Sequence, residues 1–257
     1  MNRFTGKTVI VTGSSMGIGE ATARRFAAEG ANVVINSRSR EDCEKVAADL
    51  DADRTLVVAG DVSKSAFADE IVAKTVEKFG GLDVLVNNAG VAVPGMMAKA
   101  KDEDIDKVLD INVKGVMYLC RAAIPQLEKT KGSIVNVSSV SGLGGDWTMP
   151  IYNASKGAVT NLTRALALQL GRKGVRVNAV NPSLTRTEMT EGFEQNEALM
   201  EAFRNRMPGG EGAEPDDIAG PILFLASEDA KMVNGINLPV DGGISASNGQ
   251  PNFLAHK

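Results

Sequence analysis

Tyr152 and Lys156 stand four residues apart in Tyr152-Asn153-Ala154-Ser155-Lys156, a spacing that on an α-helix stacks both side chains on one face. A free phenol titrates near 10 and carries protons sluggishly at neutral pH. A fixed cation beside it favours the phenolate, each unit of downward shift being worth about 1.4 kcal/mol. The pair can therefore exchange a proton with an alcohol or ketone oxygen. The same spacing occurs on solvated helix faces, so its surroundings must decide. Ser139 precedes Tyr152 closely and ends the apolar run Ile134-Val135-Asn136-Val137-Ser138, and strand ends are where open α/β sheets place reacting groups.

The elements that would position these groups begin at Thr8-Val9-Ile10-Val11-Thr12, a β-branched run suited to a strand covered on both faces. Gly13-Ser14-Ser15-Met16-Gly17-Ile18-Gly19 and a helix over Glu20 to Glu29 follow, in the order that aims helix N-terminal amides at a pyrophosphate. The spacing differs from G-x-G-x-x-G, but the physical roles transfer: glycines permit the turn and close approach of backbone to ligand. Gly13, Ser15, Met16, Gly17, Ile18 and Gly19 are the candidate contacts, the alternative being a glycine turn without ligand.

A second strand ends at Asn36, and Ser37-Arg38-Ser39-Arg40 follows where the adenosine ribose is discriminated. An acidic residue there would bond the 2′-OH and repel a 2′-phosphate; Ser37 and Arg38 instead favour NADP(H) over NAD(H). The bland alternative is that Arg38 and Arg40 solvate a helix start. Leu56 to Ala59 forms a third strand before Asp61-Val62, where Asp61 could accept from the adenine amino group or equally cap the next helix, and Ser63 is well placed to cap that helix toward Phe79. Val84 to Val86 is a fourth strand, closed by Asn87-Asn88-Ala89-Gly90, whose amides can bond backbone and cofactor.

From Asp102 to about Lys129 the apolar residues recur at helical steps, with Asn112 the odd polar side chain. A buried amide there needs partners, either water and backbone near the lysine or purely structural neighbours. A fifth strand, Ser133 to Ser138, leads to the glycine-rich loop 140–147, the expected wall of a substrate pocket, with Trp147 adding apolar surface or merely covering the core. A sixth strand, Val175 to Val180, precedes Asn181 to Thr187, where backbone groups could meet a nicotinamide amide. A polar stretch at 188–212 reads as a mobile lid, followed by a helix from Pro215 and a seventh strand, Ile236 to Val240.

With 257 residues and 43% hydrophobic content the chain can bury a full core, and no linker or charge run divides 1–257, so one domain is expected. A net charge of −4 and scattered basic residues argue against a nucleic-acid partner. No run is long and apolar enough to span a bilayer and no signal layout opens the chain, so a cytoplasmic protein without membrane attachment is expected. Cys43 and Cys120 lack metal spacing and are expected as buried free thiols. The single histidine, His256, makes a His triad or a metal site hard to build and is expected in a solvated tail.

Taken in order, Thr12-Gly13-xxx-Gly17-x-Gly19, Asn87-Asn88-Ala89-Gly90, Asn112, Ser139, Tyr152-xxx-Lys156 and the segment Pro182 to Thr187 resemble the short-chain dehydrogenase/reductase family over nearly the whole chain. The resemblance implies a doubly wound Rossmann-type α/β domain with a seven-stranded parallel sheet, commonly in a homotetramer. It also implies hydride transfer between a nicotinamide cofactor and a carbonyl or alcohol. Carried onto matching positions, Tyr152 is the acid/base, Lys156 holds the ribose and lowers the phenol pKa, Ser139 orients the substrate oxygen, and Asn112 supports a proton-relay water. Asp61, Val62, Asn88, Ala89, Gly90, Pro182, Thr185 and Thr187, with Tyr152 and Lys156, complete the cofactor contacts. Ser183 departs from the family, which more often has glycine there. Loop 141–147 and the tail from Gly242 to Pro251 are similar to bacterial acetoin/2,3-butanediol dehydrogenases, a subgroup that often uses NAD and carries aspartate where this chain has Ser37.

The expected function is therefore an NADP(H)-preferring oxidoreductase interconverting secondary alcohols and ketones, with small, vicinally oxygenated molecules as candidate substrates. Two rivals are a 3-oxoacyl thioester reductase of lipid synthesis and, from another class, a non-catalytic nucleotide-sensing protein on the same fold.

Overall fold

Each strand run of the sequence sends alternate side chains to opposite faces, and the fold covers both. In a computed structural model, which describes residues 2–250, strands β1 (Thr8–Thr12), β2 (Asn32–Asn36), β3 (Thr55–Val57), β4 (Val84–Asn87), β5 (Ser133–Val137), β6 (Arg176–Pro182) and β7 (Asn237–Val240) form one sheet. All pairs are parallel, in the order β3-β2-β1-β4-β5-β6-β7, the doubly wound seven-stranded sheet that the sequence leads one to expect. Pro251 and His256 lie outside the described residues.

Val9, Val11, Val33, Ile35, Val86 and Val135 face α1 (Gly17–Ala28), α2 (Arg40–Ala47) and α8 (Pro215–Ala226), forming one buried layer with Phe26, Ile218 and Ile222. Ile10, Val34, Leu85, Ile134 and Val177 face the other way, against α3 (Ser65–Phe79), α5 (Val116–Thr130) and α6 (Pro150–Leu170), with Ile71, Leu119 and Leu170 filling that layer. Burial on both faces explains why the strands read as continuous apolar runs rather than alternating ones. The strand order reverses between β1 and β4, and at such a switch point a crevice opens at the carboxyl ends of the strands.

Several local expectations are corrected. The pattern from Asp102 to Lys129 is not one helix: α4 (Asp102–Leu109) passes through a π-helical stretch, Asp110–Gly115, into α5. Apolar periodicity does not register one widened turn, and Asn112 sits within it. Ser63 does not cap α3, which begins at Ser65 after Lys64. Instead Asp61 Oδ1 accepts from the Ser63 amide at 2.9 Å, so the carboxylate holds the turn. The segment 188–212 contains a regular element, α7 (Glu197–Arg206).

The turn between β1 and α1 is set by close approach. Gly13 has φ +62° and Gly17 φ +55°, left-handed values that favour glycine. Gly19 differs: a Cβ there would stand 2.1 Å from the Gly13 carbonyl oxygen and 2.4 Å from Asn88 Nδ2. Gly19→Ala must displace the glycine turn or the asparagine, and overpacking of this kind costs about 1 to 3 kcal/mol. Urea unfolding of the variant should register that loss; a midpoint equal to wild type would show that the contact yields freely.

Candidate active site

A crevice of about 700 Å³ runs along the carboxyl ends of the strands and is lined by Gly13, Ser15, Met16, Gly17, Ile18, Ser37, Arg38, Asp61, Val62, Asn88, Ala89, Gly90, Ser139, Tyr152, Lys156, Pro182, Thr185 and Thr187. These are the sequence-derived candidates with two exceptions. Gly19 packs behind the turn, and Asn112, 1% exposed, lies beneath the surface. Asn36, Ser39, Asp42, Ile111 and the residues Glu188, Met189 and Thr190 also line the crevice and were not among the candidates. Asn36 could have been foreseen, since a polar residue ending a buried strand must face something polar; the others depend on how loops fold back.

The glycine end is built around Thr12, whose hydroxyl accepts from the Asn88 and Ala89 amides at 3.1 Å each. Asn88 Nδ2 returns hydrogen bonds to the carbonyls of Thr12 (2.9 Å) and Gly13 (3.0 Å), locking β1 to β4. Asn88 is thereby engaged on backbone, while Asn87 Nδ2 donates to Asn136 Oδ1 at 2.9 Å. Helix α1 follows Met16, which supplies no side-chain cap, leaving first-turn amides open to an anion. The segment after β6 closes over this turn: a Cβ on Gly17 would meet Thr187 Cγ2 at 3.1 Å.

Beyond β2, Ser37 donates to the Ser39 carbonyl at 3.0 Å and Ser39 caps α2 through the Asp42 amide at 3.2 Å. Among the described residues Arg38 has no ion-pair partner, whereas Arg40 lies 3.5 Å from Glu44 and Asp42 lies 3.0 Å from Lys45. Asn36 Nδ2 donates to the Val58 carbonyl at 3.0 Å, but its Oδ1 is buried without a hydrogen-bond donor. The uncapped amides, the glycine cradle and this orphan acceptor fit a dinucleotide's pyrophosphate and adenosine portions.

At the other end, β5 delivers Ser139 and α6 delivers Tyr152 and Lys156, with Pro150 opening the helix. Ser138 ties the two elements, its hydroxyl donating to the Lys156 carbonyl (3.1 Å) and sharing a hydrogen bond with Thr160 Oγ1 (2.9 Å). Asn181 on β6 donates to the Ser139 carbonyl at 2.7 Å. Lys156, 5% exposed, donates from Nζ to the Val137 carbonyl at 2.8 Å and lies 5.5 Å from the centre of the Tyr152 ring. Gly90 admits it closely, since a Cβ there would be 3.5 Å from Nζ. Asn112 donates from Nδ2 to the Val91 carbonyl (2.8 Å) and Ser155 Oγ (3.0 Å) and accepts from the Val91 amide (2.8 Å). Its side chain is structurally engaged, and both amide hydrogens are taken.

Two expectations fail here. Lys156 does not hold the phenol pKa down in this structure: burial pushes Tyr152 up to about 12, opposed by the Ser139 hydroxyl and assisted by the Asp146 charge, while burial lowers Lys156 to about 8. Desolvation disfavours the charged form of both groups, and the ammonium is directed at a carbonyl. Loop 140–147 does not line the crevice, and Trp147 is 97% exposed, covering no core. Cys43 and Cys120 are the buried free thiols expected.

Among the described residues no group of three or more His, Cys, Asp or Glu side chains is placed to hold a metal ion, and no helix is long and apolar enough to cross a membrane.

Comparison with known proteins extends the geometry. A family model described as enoyl-(acyl carrier protein) reductase matches residues 13–245. The chain is 47% identical to meso-2,3-butanediol dehydrogenase of Serratia marcescens, over 98% of this chain and all of that protein. It is 41% identical to glucose 1-dehydrogenase of Gluconobacter oxydans, over 95% of this chain and 94% of that one. Among solved structures, a short-chain dehydrogenase/reductase from Brucella melitensis described as glucose/ribitol dehydrogenase superimposes with a TM-score of 0.89 at 37% identity, covering 94% of this chain and 98% of that one. With the ordered motifs, the parallel sheet and full-length likeness in agreement, the chain belongs to the short-chain dehydrogenase/reductase family, oxidoreductases that use a nicotinamide cofactor.

Proposed function

We propose that this protein is an NADP(H)-preferring oxidoreductase that interconverts secondary alcohols and ketones, acting on small, vicinally oxygenated substrates such as diols and diketones. The observation that carries this reading is the convergence of Ser139, Tyr152 and Lys156 at one end of a crevice whose other end presents glycine backbone, uncapped helix amides and Arg38. The likeness to meso-2,3-butanediol dehydrogenase supports the substrate class.

The bound cofactor supplies the hydride in reduction and takes it in oxidation. The protein positions the other partner. Ser139 and Tyr152 hold the substrate oxygen, and Tyr152 gives its proton to that oxygen as the carbonyl carbon is reduced. A phenol held at about 12 keeps its proton at neutral pH, which suits this donation. Lys156 would hold the ribose, with Gly90 beside it on the crevice wall, and the exposed Met189 with Ile111 and Val91 presents apolar surface that excludes water.

The cofactor preference rests on Ser37, which stands where an acidic side chain would otherwise be, and on the next residue, Arg38, whose guanidinium has no ion-pair partner among the described residues. Asp42, the acidic side chain nearest in sequence on the crevice wall, is occupied by Lys45. Buried thiols suit a reducing compartment, and we place the protein in the cytoplasm. The small-residue face of α6, with Leu168 85% exposed, suits packing across a two-fold axis in a homotetramer.

Two outcomes test the assignment. Tyr152→Phe should lower reduction of a diketone by NADPH, followed by absorbance, by roughly 10²- to 10⁴-fold while leaving NADPH binding intact; near wild-type turnover would exclude this proton path. Arg38→Asp should weaken NADPH by about tenfold, the scale of one charge-assisted contact, and leave NADH little changed. An unchanged ratio of the two affinities would remove Arg38 from cofactor choice.

A further inference from the structure

The chain after β6 crosses the start of α1. A Cβ on Gly17, the first residue of that helix, would stand 3.1 Å from Thr187 Cγ2 and 3.5 Å from Glu188 Oε2. The Glu188 carboxylate therefore lies beside the helix end whose amides have no side-chain cap. Glu188 lines the crevice, and together with Gly17, Thr187 and Thr190 it also lines a second cavity of about 480 Å³, so this segment is the partition between the two. Its backbone is held: the Thr187 amide donates to Thr190 Oγ1 at 3.1 Å, and that hydroxyl donates to the Thr185 carbonyl at 2.7 Å. At its base the Arg186 amide donates to the Ala213 carbonyl and the Ala213 amide to the Leu184 carbonyl, at 2.9 Å each.

Among the described residues nothing neutralises this carboxylate: it enters no ion pair and accepts no hydrogen bond. Glu20, the acidic residue in the first turn of α1, differs, since Arg24 holds it at 2.8 Å. Arg186, two residues before Glu188, is engaged with Glu214 at 2.6 Å and with Glu211 at 3.4 Å. A helix N-terminus carries partial positive charge and favours a carboxylate beside it. The pyrophosphate of a dinucleotide is drawn to the same helix end. Anions closer than a Debye length, about 8 Å at physiological salt, repel each other.

We infer that Glu188 is a built-in opposing charge at the start of α1, which lowers the protein's affinity for the pyrophosphate of its dinucleotide. The inference rests on the crevice binding a nicotinamide dinucleotide through that pyrophosphate; it does not rest on the choice between NADP(H) and NAD(H). Arg38 and Ser37 line the crevice beyond β2, where the 2′-position is read, whereas Glu188 stands at the glycine turn. Its charge therefore weakens both dinucleotides by the same factor. A cofactor that must leave after every hydride transfer is released more readily from a site that does not hold its phosphates too firmly. Glu188 sets affinity and takes no part in the proton path.

Calorimetric titration of the full-length protein with NADPH and with NADH, in the absence of substrate, reads this charge directly. Glu188→Gln keeps the shape of the side chain and should tighten both dinucleotides by roughly three- to tenfold at about 0.05 M salt, the gain shrinking toward none at about 0.5 M. Glu191→Gln is the comparison, because Glu191 lines the second cavity and not the crevice; it should leave both affinities unchanged. Affinities for Glu188→Gln equal to or weaker than wild type, a gain confined to one dinucleotide, a gain insensitive to salt, or an equal gain from Glu191→Gln each overturns the inference. A wild-type protein that binds neither dinucleotide would instead strike down the cofactor reading itself, a result distinct from equal affinities in wild type and variant.

Discussion

The structure depends on an ammonium kept out of water. Lys156 reaches inward from α6 to the Val137 carbonyl at the end of β5, where burial brings its pKa down to about 8. A single carbonyl is poor replacement for solvent, so the fold holds this side chain at a cost that packing elsewhere must offset. Its purpose is positional: a cation fixed beside the phenol ring, with Gly90 leaving room above it.

What holds the strained group in place is a set of buried polar joints between β5, β6 and α6. Asn136 donates to Thr163 at 2.9 Å, and Ser138 bridges to Thr160 and the Lys156 carbonyl. Close packing of Gly142 reinforces the joint, since a Cβ there would lie 2.5 Å from Thr160 Oγ1. These bonds lie in a low-dielectric interior, where satisfied networks rigidify and misplacement is costly. The same arrangement that fixes Lys156 therefore fixes the spacing of Ser139 and Tyr152, and Asn112 does likewise for the backbone at Val91.

Much of this was legible in the sequence because it rests on short-range rules. Apolar runs at Val9-Ile10-Val11 and Ile134-Val135 announce strands buried on two faces, and glycines before Glu20 announce a turn that a ligand can approach. The tyrosine and lysine share a helix face as their spacing requires. What was not legible depends on three-dimensional context. The sign of the Tyr152 shift is decided by desolvation, which spacing does not report. The π-helical stretch around Asn112 leaves apolar periodicity nearly untouched, and Ser63 does not cap α3 because the helix begins two residues later, after Lys64. Trp147 points to solvent although its hydrophobicity suggested a wall, and the approach of Met189 and Thr190 to the crevice depends on how the chain returns after β6.

The central claim, that the fold buries Lys156 as an unfavourable charge for the sake of the site, is tested most directly by the stability of Lys156→Met against pH. A lysine whose folded pKa is near 8 and whose unfolded value is 10.5 leaves the unfolded chain with more protons between those values, so wild-type stability gains as pH rises through that window. Urea unfolding should find Lys156→Met more stable than wild type at pH 7, by about 1 to 3 kcal/mol, with the advantage shrinking as pH approaches the unfolded value. A variant less stable than wild type at pH 7, or a difference that does not change with pH, would contradict the account.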